Sequence, residues 1–225
     1  VYTVYQIICE EGKTDILNDE VEYYDGGKGS VFEHLEKSVD YTLEHMGKDG
    51  IPLMLGSDWN DMLSNVCKKG KGESVFVSQM LVLACRNMKE ICEITGRDYS
   101  KYDKVIEEQT KILNDEFWDK DRYVRAVTDE GMKLGKNGDK CAEIWINSQS
   151  WAVMSGISGK EKGKIAMKTA VDKLDCGYGL LKLAPPLQRN YPSKENELTF
   201  AQPGIGENGG VFCHANAWAI IAECM

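Results

Sequence analysis

Ser74-Val-Phe-Val-Ser-Gln-Met-Leu-Val-Leu-Ala-Cys-Arg-Asn-Met-Lys-Glu-Ile-Cys-Glu-Ile-Thr95-Gly96 carries the clearest periodicity in the chain. Val77, Met80, Leu81, Ala84, Met88, Ile91 and Cys92 recur at three- and four-residue steps, the spacing that gathers side chains on one face of an α-helix. Gly96 closes the run, because glycine adopts the left-handed conformation in which helices end at little cost. The spacing predicts a helix over Ser74–Thr95, with Met80 and Met88 as core fillers.

The same rhythm extends in both directions. Ser30 with Glu33 three residues on is a capping box, and Val31, Leu35, Val39 and Leu43 predict a helix that ends near Gly47. Gly26–Gly29 reads as a loop, and the short apolar segment Val1–Ile8 as a helix tail or a strand. On the C-terminal side, Tyr102–Leu113, Ser148–Ile157 and Lys160–Leu174 show helical spacing. Arg122–Thr128 is strand-like and runs into the turn signal Asp129-Glu130-Gly131, which predicts a short β-hairpin insertion. Pro185–Pro203 reads as a long irregular stretch. Asn216–Met225 is helical, with Trp218, Ile221, Ala222 and Met225 still in phase at the last residue and no Gly or Pro to close them. Together with Val1 at the start, that reads as a piece of a longer polypeptide. The pattern is an all-α architecture of helical hairpins, with the chemically interesting residues in loops gathered at one end.

Composition narrows the function. The 225 residues are 42% hydrophobic and carry a formal net charge of −9, with no Lys/Arg cluster strong enough to attract a nucleic-acid backbone. Lys68-Lys69-Gly70-Lys71 reads as a solvated loop. No apolar run is long enough to cross a bilayer, so neither nucleic acid nor membrane is expected as a partner. The eight cysteines form no CxxC pair, which argues for a reducing cytoplasm and against a disulfide framework or a zinc site.

Two polar segments carry the chemistry. Gly56-Ser-Asp-Trp-Asn-Asp61 follows the apolar run Ile51–Leu55 and holds two carboxylates, an indole and an amide. A Trp face stacks on a pyranose ring, Asn and Asp bond sugar hydroxyls, and one carboxyl can protonate a glycosidic oxygen. A polar turn around a core Trp is the plain alternative. The second segment, Gly204-Ile-Gly-Glu-Asn-Gly-Gly-Val-Phe-Cys-His214, sets a histidine in a Gly-rich polar context where an imidazolium can meet a phosphate oxygen. Its GxGxxG spacing follows no clear strand and reads poorly as a dinucleotide site. His34 and His45 read as surface or packing residues, Trp151 and Trp218 as core anchors, and Asp58 as a loop or helix cap.

These two segments resemble the inverting disaccharide phosphorylases, the family of the cellobiose, cellodextrin and chitobiose phosphorylases. So do Phe117–Gly135 and Ile144-Trp-Ile-Asn-Ser-Gln-Ser-Trp-Ala-Val-Met-Ser-Gly156, in the same order. The resemblance implies that residues 1–225 are part of one catalytic domain, an (α/α)6 helical barrel. It implies that a β-sandwich and further barrel segments lie outside the chain, so that this fragment alone is expected to be inactive. It implies Asp61 as the general acid, Trp59 in the glycosyl-donor subsite, Glu207 at the acceptor sugar and His214 at the attacking phosphate. Gly206 stands where many members carry Lys. The implied reaction is reversible, inverting phosphorolysis of a β-linked gluco-oligosaccharide to α-glucose 1-phosphate. Phosphate is then a co-substrate, no cofactor is needed, and a homodimer is expected at full length. The chemistry agrees: an inverting hydrolase needs a base to activate water, whereas phosphate already is an anion and needs only an acid opposite it. An inverting hydrolase on the same barrel is the alternative, with Glu143 or Glu197 as its base; a non-catalytic carbohydrate-binding fragment is a third.

Overall fold

The computed structural model describes every residue except Ser64, Ser193, Glu195, Asn196 and Phe200. Helices make up about half of it, with small sheets between them. In chain order they are α1 (Tyr2–Glu11), α2 (Val31–Glu44), α3 (Val75–Thr95), α4 (Ser100–Glu116), α5 (Ile146–Met154), α6 (Gly159–Leu174) and α7 (Cys213–Cys224). The open reading of the first residues resolves as a helix.

Local chemistry explains the ends. Ser30 Oγ accepts from the Glu33 N–H at 3.2 Å while the Glu33 carboxylate accepts from the Ser30 N–H at 2.6 Å, which completes the capping box of α2. Ser74 Oγ caps α3 by accepting from the Val77 N–H at 3.1 Å, and Gly96 ends it at φ 69°.

α3 is the central helix, and more of it is buried than one stripe. Leu81, Cys85, Met88, Ile91 and Cys92 pack with Leu35 and Val39 of α2 and Tyr102 of α4. Val75 and Val82 face Leu113, Val124 and Ala152 on another side. Each of its buried large apolar side chains contributes roughly 1.5–3 kcal/mol. Met80 is the correction: it is 40% exposed and lines an open groove with Tyr2, Thr42 and Trp151, while Met88 is fully buried as expected. α5 packs against α3, α6 and α7 and so joins the two halves.

Where the spacing predicts one hairpin, the described residues form four small sheets. The predicted hairpin exists as β6 (Ala126–Val127) against β7 (Lys133–Leu134), and β3 (Glu73–Ser74) extends it, with Glu73 opposite Val127. β1 (Glu20–Glu22) pairs with β2 (Lys28–Ser30), so the expected glycine loop is in part a hairpin. β4 (Trp118–Asp119) pairs with β5 (Arg122–Tyr123), and β8 (Ile144–Trp145) with β9 (Leu183–Ala184). These strands are too short to stand alone and act as staples between loops. The Pro185–Pro203 stretch contains four of the five residues outside the described set; its described part contains no helix.

Candidate active site

The Gly56–Asp61 loop is held from both ends. Met54, Met62 and Leu63 are buried in one apolar cluster with Val66, Trp145 and Leu183. The Met54 N–H donates to the Gly72 carbonyl at 2.8 Å, and the Leu63 N–H donates to the Asn60 carbonyl at 2.8 Å. Between these anchors the polar residues have little freedom to relax.

Trp59 is the hub. Its ring lies 5.2 Å from the His214 ring, 4.7 Å from Trp218, 5.5 Å from Phe212 and 6.2 Å from Phe76, centroid to centroid. Lys182 Nζ stands 4.1 Å from the centre of the same ring and 2.9 Å from Glu207 Oε1. Three of the four sequence-predicted site residues, Trp59, Glu207 and His214, therefore belong to one cluster. Asp61 opens the short 3₁₀ turn Asp61–Leu63 and is exposed. Two peptide units from Trp59, its Cα lies within about 7 Å of the Trp59 Cα.

Long-range backbone contacts bring the segments together. Lys182 N–H donates to the Gly210 carbonyl at 2.9 Å, and Leu181 bridges Val211, so the segment just before β9 is tied to the loop that precedes α7. Asn208 pins that loop from inside. Its Nδ2 donates to the Leu187 carbonyl at 2.8 Å and to the Ala201 carbonyl at 3.0 Å, while its Oδ1 accepts from the Leu187 N–H at 2.8 Å. Gly209 sits at φ 94°, a conformation that favours glycine, and lets the chain turn beside Pro186. A groove of about 890 Å³ between α6 and the end of α7 is lined by none of the four predicted residues.

The profile of the glycosyl hydrolase 94 superfamily, catalytic domain, matches residues 1–225. The chain belongs to this superfamily. It is 35% identical over 226 residues to the solabiose phosphorylase of Paenibacillus borealis, covering 99% of this chain and 29% of that protein. It is 30% identical over 228 residues to the N,N'-diacetylchitobiose phosphorylase of Vibrio proteolyticus, covering 98% of this chain and 28% of that protein. The chain thus spans under a third of the length of these curated relatives. Among solved structures, a sialidase superposes with a TM-score of 0.59 over 85% of this chain and 17% of its own, at 12% identity, a likeness of fold alone.

Behind Trp59, the glycosyl hydrolase 94 chain buries charges that sequence reading missed. Asp58 and Arg125 form an ion pair with both side chains fully buried. Asp58 Oδ1 also accepts from the Asn60 N–H at 2.8 Å, and Arg125 Nη1 donates to Ser74 Oγ at 3.3 Å. Asp58 is therefore a loop cap, as expected, but also half of a buried ion pair with Arg125. Among the described residues, Asp58 Oδ2, both amide atoms of Asn60, Arg125 Nε and Glu207 Oε2 are buried without a hydrogen-bond partner. Burial pushes the Lys182 ammonium pKa down, while Glu207 pulls it back up. Lys182 and Arg125 have a signal in the sequence only in retrospect: each is a cation inside an otherwise apolar run.

Other assignments sort cleanly. Trp218 is corrected: it is half-buried and tilts against both Trp59 and His214, at 4.7 and 4.3 Å, so it belongs to the site cluster. Trp151 touches Phe76 and Trp218 edge-on, and its ring N–H is buried without a partner. Gln149 is structural: its amide accepts from the Tyr123 N–H and donates to the Tyr123 carbonyl, both at 2.9 Å. His34 meets the Val21 carbonyl, and His45 the Tyr41 carbonyl, both at the surface. Glu143 binds Lys173 at 2.8 Å and Arg122 at 3.4 Å, and Glu197 accepts from the Asn190 N–H at 3.2 Å. Neither is recorded against the Trp59 cluster. All eight cysteines are free thiols, four of them buried. Among the described residues no helix is long and apolar enough to cross a membrane.

Proposed function

We propose that this chain carries the catalytic centre of an inverting disaccharide phosphorylase built on an (α/α)6 barrel. The observation that carries the reading is Trp59, which touches His214 directly and Glu207 through Lys182, with Asp61 two residues further on. In this reading the indole supports the glycosyl residue to be transferred. Asp61, on the solvent side, protonates the departing glycosidic oxygen. Glu207 accepts hydrogen bonds from acceptor hydroxyls. His214 holds phosphate for attack on the anomeric carbon from the face opposite the leaving oxygen, so the configuration inverts. The C–O bond to the acceptor breaks as the C–O bond to phosphate forms, and the proton of Asp61 leaves with the acceptor.

The relatives named above are phosphorylases of different sugars; for this chain we propose a β-linked gluco-disaccharide as substrate. The reading calls for phosphate as co-substrate, for no cofactor, and for a cytoplasmic, homodimeric protein. The test uses the polypeptide at the full length of its relatives, with cellobiose, longer cellodextrins, solabiose or chitobiose and inorganic phosphate. Release of an α-sugar 1-phosphate that depends on phosphate supports the reading. Release of free sugars alone, at a rate indifferent to phosphate, replaces it with hydrolysis.

A further inference from the structure

Lys182 is an unusual residue for its position. Leu180, Leu181 and Leu183 surround it in sequence, and its own side chain is fully buried. Its backbone cannot be shifted easily: the N–H donates to Gly210, and the carbonyl accepts from the Ile146 N–H at 3.1 Å. A methionine of similar length would fill the same space without desolvating a charge, and an ammonium taken out of water costs several kcal/mol unless it is paired. What Lys182 gains is specific. Its Nζ reaches Glu207 Oε1 at 2.9 Å and stands 4.1 Å from the Trp59 ring centre and 4.4 Å from that of Phe212. Glu207 is less deep, with its side chain 22% exposed, and its second oxygen Oε2 is buried with no partner among the described residues. The contact is an ion pair without hydrogen-bond geometry, since Lys182 Nζ is itself buried with no hydrogen-bond partner among the described residues; it holds one carboxylate oxygen from beneath and leaves the other unmatched.

We propose that Lys182 is a positioning residue that clamps one oxygen of Glu207 and braces Trp59, so that the free oxygen reads a hydroxyl of a neutral acceptor sugar. The inference rests on the phosphorylase reading and deepens it. With the cation paired to Oε1, the remaining oxygen of Glu207 is an acceptor-only, anionic atom. A hydroxyl or amide N–H satisfies it, and a uronate or aldonate carboxylate is repelled. Neutral hexoses and N-acetylhexosamines are the acceptors this arrangement takes.

The test runs the full-length protein in the synthetic direction, with α-glucose 1-phosphate as donor and glucose, N-acetylglucosamine, glucuronate and gluconate as acceptors. Wild type should use a neutral acceptor at least tenfold better, by kcat/KM, than either acid. K182M should raise the acceptor KM about tenfold or more with donor KM little changed, E207Q should do the same, and K182M/E207Q should be no worse than the single variants. K182R should recover much of the loss. Preference for an acidic acceptor, an unchanged acceptor KM in K182M, or losses that multiply in the double variant would each overturn the proposal. Thermal melting gives a readout that needs no turnover. K182M should lower the Tm, and adding E207Q should restore part of it, because the second change removes a stranded carboxylate; additive losses contradict the clamp. A protein that melts in this way yet transfers no glucose to or from phosphate rejects the phosphorylase reading and leaves the ion pair standing.

Discussion

The seam between α3 and α4 and the wall behind Trp59 are both buried, yet they are built on opposite terms. On the seam, apolar side chains dominate and the deepest matched polar groups are neutral, although Arg86 Nε, Asn87 Nδ2 and Thr110 Oγ1 are buried there without a partner among the described residues. Ser78 Oγ donates to Gln109 Oε1 at 2.6 Å, and Gln109 Nε2 donates to the Gly50 carbonyl at 2.9 Å. On the wall, two ion pairs and the Asn60 amide are packed among aromatic rings with several atoms unmatched. An unmatched buried polar atom costs about 1–3 kcal/mol, so the wall is a region where folding gives up stability. Such sites persist where a ligand supplies the missing partners, and the contrast separates residues that hold the fold from residues that wait for a substrate.

The sharpest way to break that contrast is Asp61→Asn. Asp61 is exposed and opens the 3₁₀ turn, with no side-chain hydrogen bond among the described residues. The variant should keep the wild-type Tm while turnover falls by about 10²- to 10⁴-fold, the range for loss of a general acid. A variant that melts early but turns over normally would move Asp61 to the structural side. Arg125→Met should do the reverse. It strands the buried Asp58 charge, and denaturant unfolding should register a loss of about 3–5 kcal/mol. Adding Asp58→Asn should return part of that loss, which a simple cavity would not. On the seam, Ile91→Ala removes a fully buried side chain. It should cost about 2–5 kcal/mol of stability and leave KM and kcat of the folded enzyme near wild type.

How much of this was open to sequence reading follows the same division. α2 and α3 are legible because their signals are local. Ser30 and Glu33 are three residues apart, and the Gly96 stop touches the last turn it closes. The small sheets are not, because a two-residue strand has no period to detect, and Glu73 finds its partner only at Val127. Met80 fell outside the core because no described helix covers that side of α3, a fact of tertiary arrangement that a seven-residue stripe does not carry. In the site, the four residues named from the polar segments were visible because Trp, Asp, Glu and His in Gly-rich context are chemically conspicuous. The buried cations were not. Arg125 lies 67 residues from Asp58, and Lys182 reads as an interruption in a leucine run until the fold sets Glu207 against it. Trp218 was read as a core anchor because it rides on a helix; its place one turn after His214 on α7 is a local signal, but only the packing of α7 against the Trp59 loop brings both rings onto Trp59.

His214 tests the wall from its ligand side. It is exposed, and its ring packs edge-on to Trp59 at 75° and tilts against Trp218. His214→Gln keeps a polar side chain of similar reach but removes the imidazole. If the imidazole holds phosphate, the KM for phosphate should rise about tenfold or more, as expected for loss of a charge-assisted hydrogen bond worth roughly 1.5–3 kcal/mol. The KM for the disaccharide should change far less. Equal increases in both constants would mean that His214 acts by supporting Trp59.

The smallest effect is the cleanest control on the contrast. Ser30 lies on the far, helical side of the molecule, where its hydroxyl caps α2 and packs with nothing in the Trp59 cluster. Ser30→Ala leaves the Glu33 N–H without its side-chain acceptor and should cost about 1 kcal/mol, read as a lower denaturation midpoint at unchanged slope. Kinetic constants for sugar and phosphate should stay at wild-type values, because α2 packs on α3, and the cap at Ser30 does not alter that packing. If Ser30→Ala shifts the phosphate or sugar KM, then stability lost at one end of α3 is felt at the other. The two regions would then be one cooperative unit with two kinds of interior.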